Sequence, residues 1–381
     1  MNKKINLGFI GGGVNSAIGS THFIAAQMDG RFKVVAGCFS RNKDVNGKTA
    51  MQWGITQDRQ YECAQEFLEK ERGRVDAVVV LTPTPSHKEI VIQALKYDYP
   101  VICEKSLAIS SAEAKDINKI KNERQGYLAV TYNYTGYPML RELKHMIDQK
   151  RLGRLEQVHI EMPQEGFARL DRDGRPMTPQ GWRLQDAELP TISLDLGVHL
   201  HHIIDFLTNE KPLDLVAVQS SQGRFRQVID NTMCIARYTN DLDCSIWFSK
   251  SALGCRNGLR VRVFGENGSA EWYQMEPESL MFYDNTGQKT IVDRASVDVL
   301  AAHDPRYNRF KSGHPSGFIE AFANLYWDIA NNLEVYLETG VQNVSEYVYT
   351  GRHALEGLTM LEAISGSSND RCWKSLITHP E

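Results

Sequence analysis

The sequence lacks the features that mark secreted, membrane-spanning and nucleic-acid-binding proteins. No apolar run approaches the length of a transmembrane helix, and MNKKINLGFIGGG at the amino terminus is too short and glycine-broken for a signal-peptide core. The seven cysteines include no CxxC pair, which favours free thiols over a disulfide framework. A net charge of −4 gives no sign of a polyanion-binding surface. We therefore expect a cytoplasmic protein that binds neither membranes nor nucleic acids.

The amino-terminal part of the chain has the pattern of a parallel α/β domain. A length of 381 residues favours two domains over one. Strand-like apolar runs lie at 5–10, 34–39, 75–81, 100–105 and 127–133, with helical patterns between them near 16–28, 60–72, 86–98 and 111–124. Because this alternation is typical of a parallel sheet with crossover helices, we expect an α/β domain over residues 1–134.

The remaining residues, 135–381, have the pattern of an α+β domain. Strand-like segments lie at 155–162, 214–222, 232–239, 244–250, 259–265, 269–275 and 279–293, and helices are expected near 138–150, 192–207, 315–333 and 344–364. The pattern predicts an antiparallel sheet with its helices grouped together, and the carboxy-terminal helices could pack back on the first domain. A long connection, 163–191, is rich in proline, glycine and charge, and such loops often carry function.

The first strand runs into GFIGGGVNSAIGSTH, a glycine-rich turn before a helix. Gly11 and Gly13 lie where a dinucleotide-binding turn needs residues without a Cβ, so that the backbone can approach a pyrophosphate. Five residues separate Gly13 from Gly19 where the usual motif has two, so the loop carries an insertion. We expect these three glycines to contact NAD or NADP.

The second strand ends in CFSRNKD, with Ser40 and Arg41 where an acidic residue normally binds the ribose of NAD. A hydroxyl and a guanidinium suit the 2′-phosphate of NADP. Arg41 could equally stack on the adenine ring, and then the choice between NAD and NADP stays open.

Polar residues follow the next three strands: Thr82, the pair Glu104 and Lys105, and Asn133. Because ligands of open parallel sheets bind at the carboxyl ends of the strands, we expect these side chains to meet around one cofactor crevice. Lys105 could donate a hydrogen bond to a substrate oxygen, and Glu104 could hold the lysine. We include His87 with the cofactor-binding residues, although we expect it to cap the next helix rather than to react.

The helix SLDLGVHLHHIID offers three titratable side chains on one face. At 100° per residue, Asp195, His199 and His202 fall within about one-sixth of the circumference, whereas His201 points elsewhere. Such a face could hold a metal ion or transfer protons. The sequence shows no further Cys/His cluster at ligand spacing, so we expect proton transfer and no metal.

The glycine-rich turn, TPTPSH, EKS and DLGVH occur in the order found in the glucose–fructose oxidoreductase / inositol dehydrogenase / rhizopine catabolism family of NAD(P)-dependent oxidoreductases, which this sequence resembles over most of its length. The resemblance implies a Rossmann domain followed by a domain with a large, open, mostly antiparallel sheet. NYTGYPM and GHPSGFIEAFANLY also resemble a subgroup of levoglucosan and cyclitol dehydrogenases. One departure is Ser106, which replaces the proline of the family's EKP motif.

The family's catalytic lysine, aspartate and histidine match Lys105, Asp195 and His199, which implies that His199 accepts a hydroxyl proton of a sugar, anhydrosugar or cyclitol. Further substrate contacts are expected from Asn133, Tyr134, Gln164, Arg169, Trp182, His202 and His314. An open sheet face often needs covering, so we also expect a homo-oligomer, a dimer or tetramer.

Two other functions compete with a dehydrogenase. A metal-dependent enzyme would use Asp195, His199 and His202 as ligands, but it would leave Lys105 and the nucleotide crevice unexplained. A non-catalytic sugar sensor would bind NAD(P) without turnover, since a fold does not guarantee chemistry. Because the whole proton-transfer set is present, an enzyme is the favoured interpretation.

Overall fold

The computed structural model describes residues 4–376, and the chain divides into two compact units. One unit comprises Met1–Gly136 and Gly317–Leu355, and the other comprises Tyr137–Ser316 and Glu356–Glu381. The expected boundary after residue 134 lies beside the first division of the chain. Residues 317–355 belong to the amino-terminal unit, so the chain passes from one unit to the other more than once.

The first unit contains a five-stranded parallel sheet of the Rossmann type, with strand order β2-β1-β3-β4-β5. Its strands are β1 (Ile5–Gly11), β2 (Phe32–Cys38), β3 (Ala77–Leu81), β4 (Val101–Glu104) and β5 (Leu128–Thr131). Helices α1 (Gly19–Met28), α2 (Lys43–Gln52), α3 (Ala64–Lys70), α4 (His87–Lys96) and α5 (Ser111–Glu123) connect them. Every residue of β3, β4 and β5 is buried, as continuous apolar strands covered on both faces should be. The predicted parallel α/β fold is confirmed.

Helix α2 was not predicted from the sequence. Its residues, KDVNGKTAMQ, are mostly polar and include a glycine, so they show no apolar periodicity. The Asn42 side chain starts the helix by accepting hydrogen bonds from the backbone N–H groups of Asp44 and Val45. Capping and tertiary packing thus override a weak pattern.

The remaining elements, in chain order, are α6 (Pro138–Asp148), β6 (Leu155–Pro163), α7 (Val198–Thr208), β7 (Pro212–Ser220), β8 (Asn231–Tyr238), β9 (Leu242–Ser249), β10 (Arg260–Gly265), β11 (Gly268–Tyr273), β12 (Ser279–Asp284), β13 (Lys289–Asp293), α8 (Phe318–Thr339), α9 (Gly351–Asp370) and β14 (Lys374–Ser375). Helix α8 lies in the first unit, and α9 crosses the division after Leu355. Both helices start and end later than the predicted ranges, 315–333 and 344–364.

The second unit contains a nine-stranded sheet in the order β13-β12-β11-β10-β6-β9-β8-β7-β14. Its neighbouring strands are antiparallel except for β6 and β9, which run parallel. The predicted large, mostly antiparallel sheet is confirmed. Because β6 and β9 run side by side in one direction, the residues that follow them, from Gln164 and from Lys250, emerge at the same edge of the sheet.

The helix expected at 192–207 is not a regular α-helix. Residues Ser193–Gly197 form a π-helical turn, and α7 follows it directly. The 100° spacing assumed from the sequence therefore does not apply through Asp195. Single π-helical turns of this kind are frequent at functional sites.

Side chains along the sheet of the second unit alternate between a buried and an exposed face. Strand β8 shows this most clearly, because Met233, Ile235 and Arg237 are exposed between buried neighbours. Val218 pairs with Met233 across β7 and β8 and is exposed as well. Within residues 4–376, no helix is long and apolar enough to cross a membrane.

Candidate functional site

The turn between β1 and α1 is closely packed around its glycines. Gly11 has a φ of +85°, and a Cβ on it would lie 2.7 Å from the backbone nitrogen of Thr82. A Cβ on Gly19 would lie only 1.8 Å from the carbonyl oxygen of Gly12. The residues between Gly13 and Gly19 therefore form a loop that brings Gly19 back against the turn at the start of α1. Gly12, which the sequence analysis passed over, is part of this contact.

The end of β2 forms the second part of the crevice. The Ser40 hydroxyl oxygen accepts a hydrogen bond from the backbone N–H of Asn42 at 3.1 Å, so it shapes the turn before α2. The Arg41 side chain is exposed. The amino terminus of α2 lies directly behind these residues, and helix amino termini favour negative charge.

Three buried polar atoms at the carboxyl ends of the sheet make no hydrogen bond within the described part of the chain. They are Thr82 Oγ1 after β3, Ser106 Oγ after β4 and Asn133 Nδ2 after β5. A buried polar atom without a partner costs about 1–3 kcal/mol, so such atoms are rare unless a ligand or water completes them. With the glycine-rich turn at the same sheet edge, they fit a polar cofactor such as a dinucleotide.

His87 does not cap a helix through its side chain, contrary to our expectation. It is the first residue of α4, and its ring lies buried between two backbone carbonyls. Nδ1 is 2.8 Å from the oxygen of Ser106, and Nε2 is 2.7 Å from the oxygen of Thr82. Burial lowers the pKa of His87, so the neutral ring can donate to only one of the two. The ring thus fixes the residues that follow β3 and β4.

Glu104 holds the backbone of Lys105. Its carboxylate accepts a hydrogen bond from the Lys105 backbone N–H at 2.6 Å and another from the Thr131 hydroxyl. The Lys105 side chain is half-buried. These contacts fix Glu104 between the backbone after β4 and the end of β5; its contact with a cofactor stays a prediction.

A buried histidine lies behind Glu104 in the same unit. His22 Nε2 is 3.9 Å from the Glu104 carboxylate, and His22 Nδ1 is 2.8 Å from the Tyr326 hydroxyl oxygen. Complete burial lowers the pKa of His22 to about 3, so the ring is neutral at physiological pH. The histidine therefore packs the back of the crevice without adding charge.

In the second unit, the Asp195 carboxylate lies on the π-helical turn and binds two cations. It accepts hydrogen bonds from Lys250 Nζ and from the Arg183 guanidinium. Lys250 directly follows β9 and is only 7% exposed, whereas Arg183 comes from the long loop 163–191. Neither Lys250 nor Arg183 was predicted from the sequence to belong to the site. The position of Lys250 at the end of an alternating strand was the only available signal.

The three histidines of α7 are all buried, and the contacts of one are clear. His201 Nδ1 is 3.2 Å from the sulfur of Met360, so this ring packs against α9. His199 and His202 are 4% and 3% exposed. Within residues 4–376, no three His, Cys, Asp or Glu side chains group as metal ligands.

The loop residues expected to contact substrate differ in their surroundings. Gln164 Nε2 donates to Asn257 Oδ1 at 2.8 Å at the sheet edge. Arg169 pairs with Glu165 at 3.4 Å on the surface. Trp182 is 36% exposed, beside Arg183.

The two other expected substrate residues lie in different environments. Tyr134 is buried near Phe318 in the first unit, with ring centroids 6.0 Å apart. His314 is exposed against Phe310, with ring centroids 4.4 Å apart. The sequence predicts a helix from Pro315, directly after His314, but α8 begins at Phe318. His314 therefore does not lie at the start of the helix.

Comparisons with known proteins agree with both halves of the fold. Residues 5–132 match the family described as "Oxidoreductase family, NAD-binding Rossmann fold", and residues 140–271 match "GFO/IDH/MocA C-terminal domain". The uncharacterized oxidoreductase YfiI of Bacillus subtilis is 27% identical over 97% of this chain and 96% of its own. Levoglucosan dehydrogenase of Pseudarthrobacter phenanthrenivorans is 24% identical over 70% of this chain and 73% of its own.

A solved structure shows the same similarity in three dimensions over nearly the full length. The inositol dehydrogenase homolog of Azotobacter vinelandii, complexed with NADH and myo-inositol, superposes with a TM-score of 0.88 at 25% identity, covering 98% of each chain.

Proposed function

The chain belongs to the glucose–fructose oxidoreductase / inositol dehydrogenase / rhizopine catabolism family of NAD(P)-dependent oxidoreductases, and on that basis we propose that it transfers a hydride between the nicotinamide and a ring hydroxyl or keto carbon of a sugar, anhydrosugar or cyclitol. One observation carries the proposal. Thr82, Ser106 and Asn133 present buried, unbonded polar atoms at the sheet edge that also carries Lys105 and the glycine-rich turn.

The proposed chemistry gives separate roles to Lys105 and His199. A dinucleotide held at the carboxyl ends of the parallel strands would supply the acceptor for the hydride that leaves the substrate carbon. His199 accepts the hydroxyl proton, so that a ketone forms as the C–H and O–H bonds break. The Lys105 ammonium donates a hydrogen bond to the reacting oxygen, and Asp195 supports the imidazole electrostatically.

The residues of the glycine-rich turn and of the strand ends would hold the cofactor. Gly11, Gly12 and Gly19 let the turn pack closely against β3 and the start of α1, and the amino terminus of α1 would then face the pyrophosphate. We infer that Arg41 lets the protein accept NADP as well as NAD, because its exposed guanidinium lies beside the amino terminus of α2 with no acidic residue in the position that normally selects NAD.

The substrate is proposed to be a neutral polyol. Asn133, Tyr134, His202 and Gln164 offer hydroxyl, amide and imidazole groups, and Trp182 offers a half-exposed ring. Relatives named levoglucosan dehydrogenase and an inositol dehydrogenase homolog bound to myo-inositol support this class. Arg169 and His314 are exposed and stay candidates for the rim of the site.

A thermal-shift screen tests this function. NAD and NADP would be crossed against sugars, anhydrosugars, inositols and nucleotide sugars, and the best pair assayed for nicotinamide reduction. A ligand at about 100 times its Kd stabilises the fold by about 2.7 kcal/mol, which gives a clear shift. Absence of any shift with both dinucleotides would contradict the proposal.

We further infer a homo-oligomer formed through the exposed face of the nine-stranded sheet. Val218, Met233 and Ile235 are each more than half exposed there, and an apolar cluster on an open sheet face favours burial against a second copy. All seven cysteines lie in the described residues as free thiols, which supports the expected cytoplasmic location.

A further inference from the structure

Lys250 is a buried lysine whose ammonium contacts a carboxylate of the proposed active site. Lysine is seldom buried, because removing its charge from water is costly unless a partner compensates. Its Nζ donates to Oδ2 of Asp195, and its side chain is 9% exposed. The contact joins residues 55 positions apart in the sequence, so it depends on the tertiary fold.

The backbone around Lys250 is fixed from both sides. Its N–H donates to the carbonyl of Asp230 at 2.8 Å, and its carbonyl accepts from the N–H of Phe167 at 2.8 Å. The ammonium lies 5.4 Å from the centre of the Phe167 ring, a cation–π distance. The lysine therefore presents its charge from a rigid position at the end of β9.

Arg183, the second cation on Asp195, is held differently. It belongs to a short turn, Gly181–Leu184, in the long loop, and its side chain is 22% exposed. Its guanidinium lies 4.5 Å from the centre of the Trp182 ring. Both cations bind the same carboxylate oxygen of Asp195. Of the two, the lysine is the more buried and is held by backbone hydrogen bonds on both sides.

We propose that Lys250 is a positioning residue for the reaction: it holds the Asp195 carboxylate in one orientation on the π-helical turn, four residues before His199. This inference rests on the proposed dehydrogenase function. A carboxylate that supports an imidazole must keep one orientation as the proton moves, and a charge-assisted hydrogen bond from a rigid lysine supplies that restraint. Lys250 itself touches neither cofactor nor reacting atoms in this role.

The test compares Lys250→Met and Lys250→Arg with the unsubstituted protein, using the polyol and dinucleotide that give turnover. We expect Lys250→Met to lower kcat by about tenfold or more, with KM and dinucleotide Kd changed less than about threefold. Lys250→Arg should recover most of the activity, because it restores the cation. If Lys250→Met does not fold, Lys250→Gln is expected to show the same loss of kcat.

A double-mutant cycle separates positioning from general stability. Because Lys250 acts through Asp195, Lys250→Met should lower kcat by less than about threefold when Asp195→Asn is already present. The matched control is Lys211→Met. Lys211 also binds an aspartate that lies on α7, Asp205, at 2.6 Å, but not Asp195. That variant should lose stability and keep kcat.

Two results would overturn the role of Lys250 and leave the proposed function standing. One is full turnover in Lys250→Met, and the other is an equal loss of kcat from Lys250→Met with and without Asp195→Asn. Absence of turnover in the unsubstituted protein with every polyol and both dinucleotides would overturn the proposed function, and the role of Lys250 with it.

Discussion

Gly19 lies against Gly12 so closely that a Cβ would come within 1.8 Å of the Gly12 carbonyl oxygen. Gly12 is closely packed as well, because a Cβ on it would lie 2.7 Å from the Leu81 side chain on β3. The inserted residues 14–18 are therefore accommodated without loosening the contact between turn and helix. We expect this contact to set the direction in which the amino terminus of α1 faces the dinucleotide.

Gly19→Ala is expected to weaken dinucleotide binding by about tenfold or more and to lower the melting temperature. The added methyl group must displace backbone, and overpacking of this kind costs about 1–3 kcal/mol. Dinucleotide titration followed by fluorescence and a melting curve would measure both effects. Gly47→Ala serves as the control: it lies in α2, and a Cβ there would lie 3.9 Å from Gln60 Nε2, an ordinary contact distance, so it should stabilise the fold by about 0.5–1 kcal/mol. Unchanged affinity in Gly19→Ala would contradict the proposed binding turn.

Arg41→Ala should weaken NADP binding by about tenfold, equivalent to about 1.4 kcal/mol, while NAD binding changes less than about twofold. The reason is that only NADP carries a 2′-phosphate for the guanidinium to bind. Calorimetric titration with each dinucleotide measures the two constants. Equal losses for both would mean that Arg41 contacts the adenine ring instead.

His199→Ala should lower kcat by about 10²- to 10⁴-fold, the usual contribution of a general base, and leave dinucleotide affinity nearly intact. Steady-state kinetics and a binding titration on the same preparation would show this. Loss of dinucleotide binding with normal turnover per bound complex is the result that would exclude His199 as the proton acceptor.

His22 makes the first unit sensitive to acid. Burial lowers its pKa from 6.5 to about 3, so below pH 6.5 the unfolded chain binds a proton that the folded protein does not. Its contribution to stability is complete above pH 6.5 and falls by up to about 1.4 kcal/mol per pH unit below it. His22→Asn, neutral at every pH, should show a shallower decline in the urea midpoint between pH 7 and pH 5. Identical slopes would mean that the buried ring takes up a proton in the folded state.

Ile235→Lys should shift the protein toward monomers, because a charge in the exposed apolar cluster on β8 opposes burial against a second copy. Light scattering after size exclusion measures the mass. Val344→Lys changes an even more exposed valine in the first unit and should leave the mass unaltered. A monomeric unsubstituted protein would contradict the proposed interface.

The alternation of apolar strands and helices, the glycine-rich turn, and the polar residues at the ends of β3, β4 and β5 were all readable from the sequence. These are local patterns: burial repeats with the period of the element, and a turn that needs glycine shows it directly. The two sheets and the family resemblance follow from them. Helix α2 was not predicted, because it forms from the amino-terminal cap of Asn42 despite a weak apolar periodicity.

Only the tertiary structure decided which charges surround Asp195. Lys250 reaches it because β9 packs against the π-helical turn, and Arg183 reaches it because the long loop returns to that turn. The π-helical turn also changed the direction of Asp195 relative to a regular helix. Strand register and loop path arise from contacts between distant residues, so no local period in the sequence encodes them.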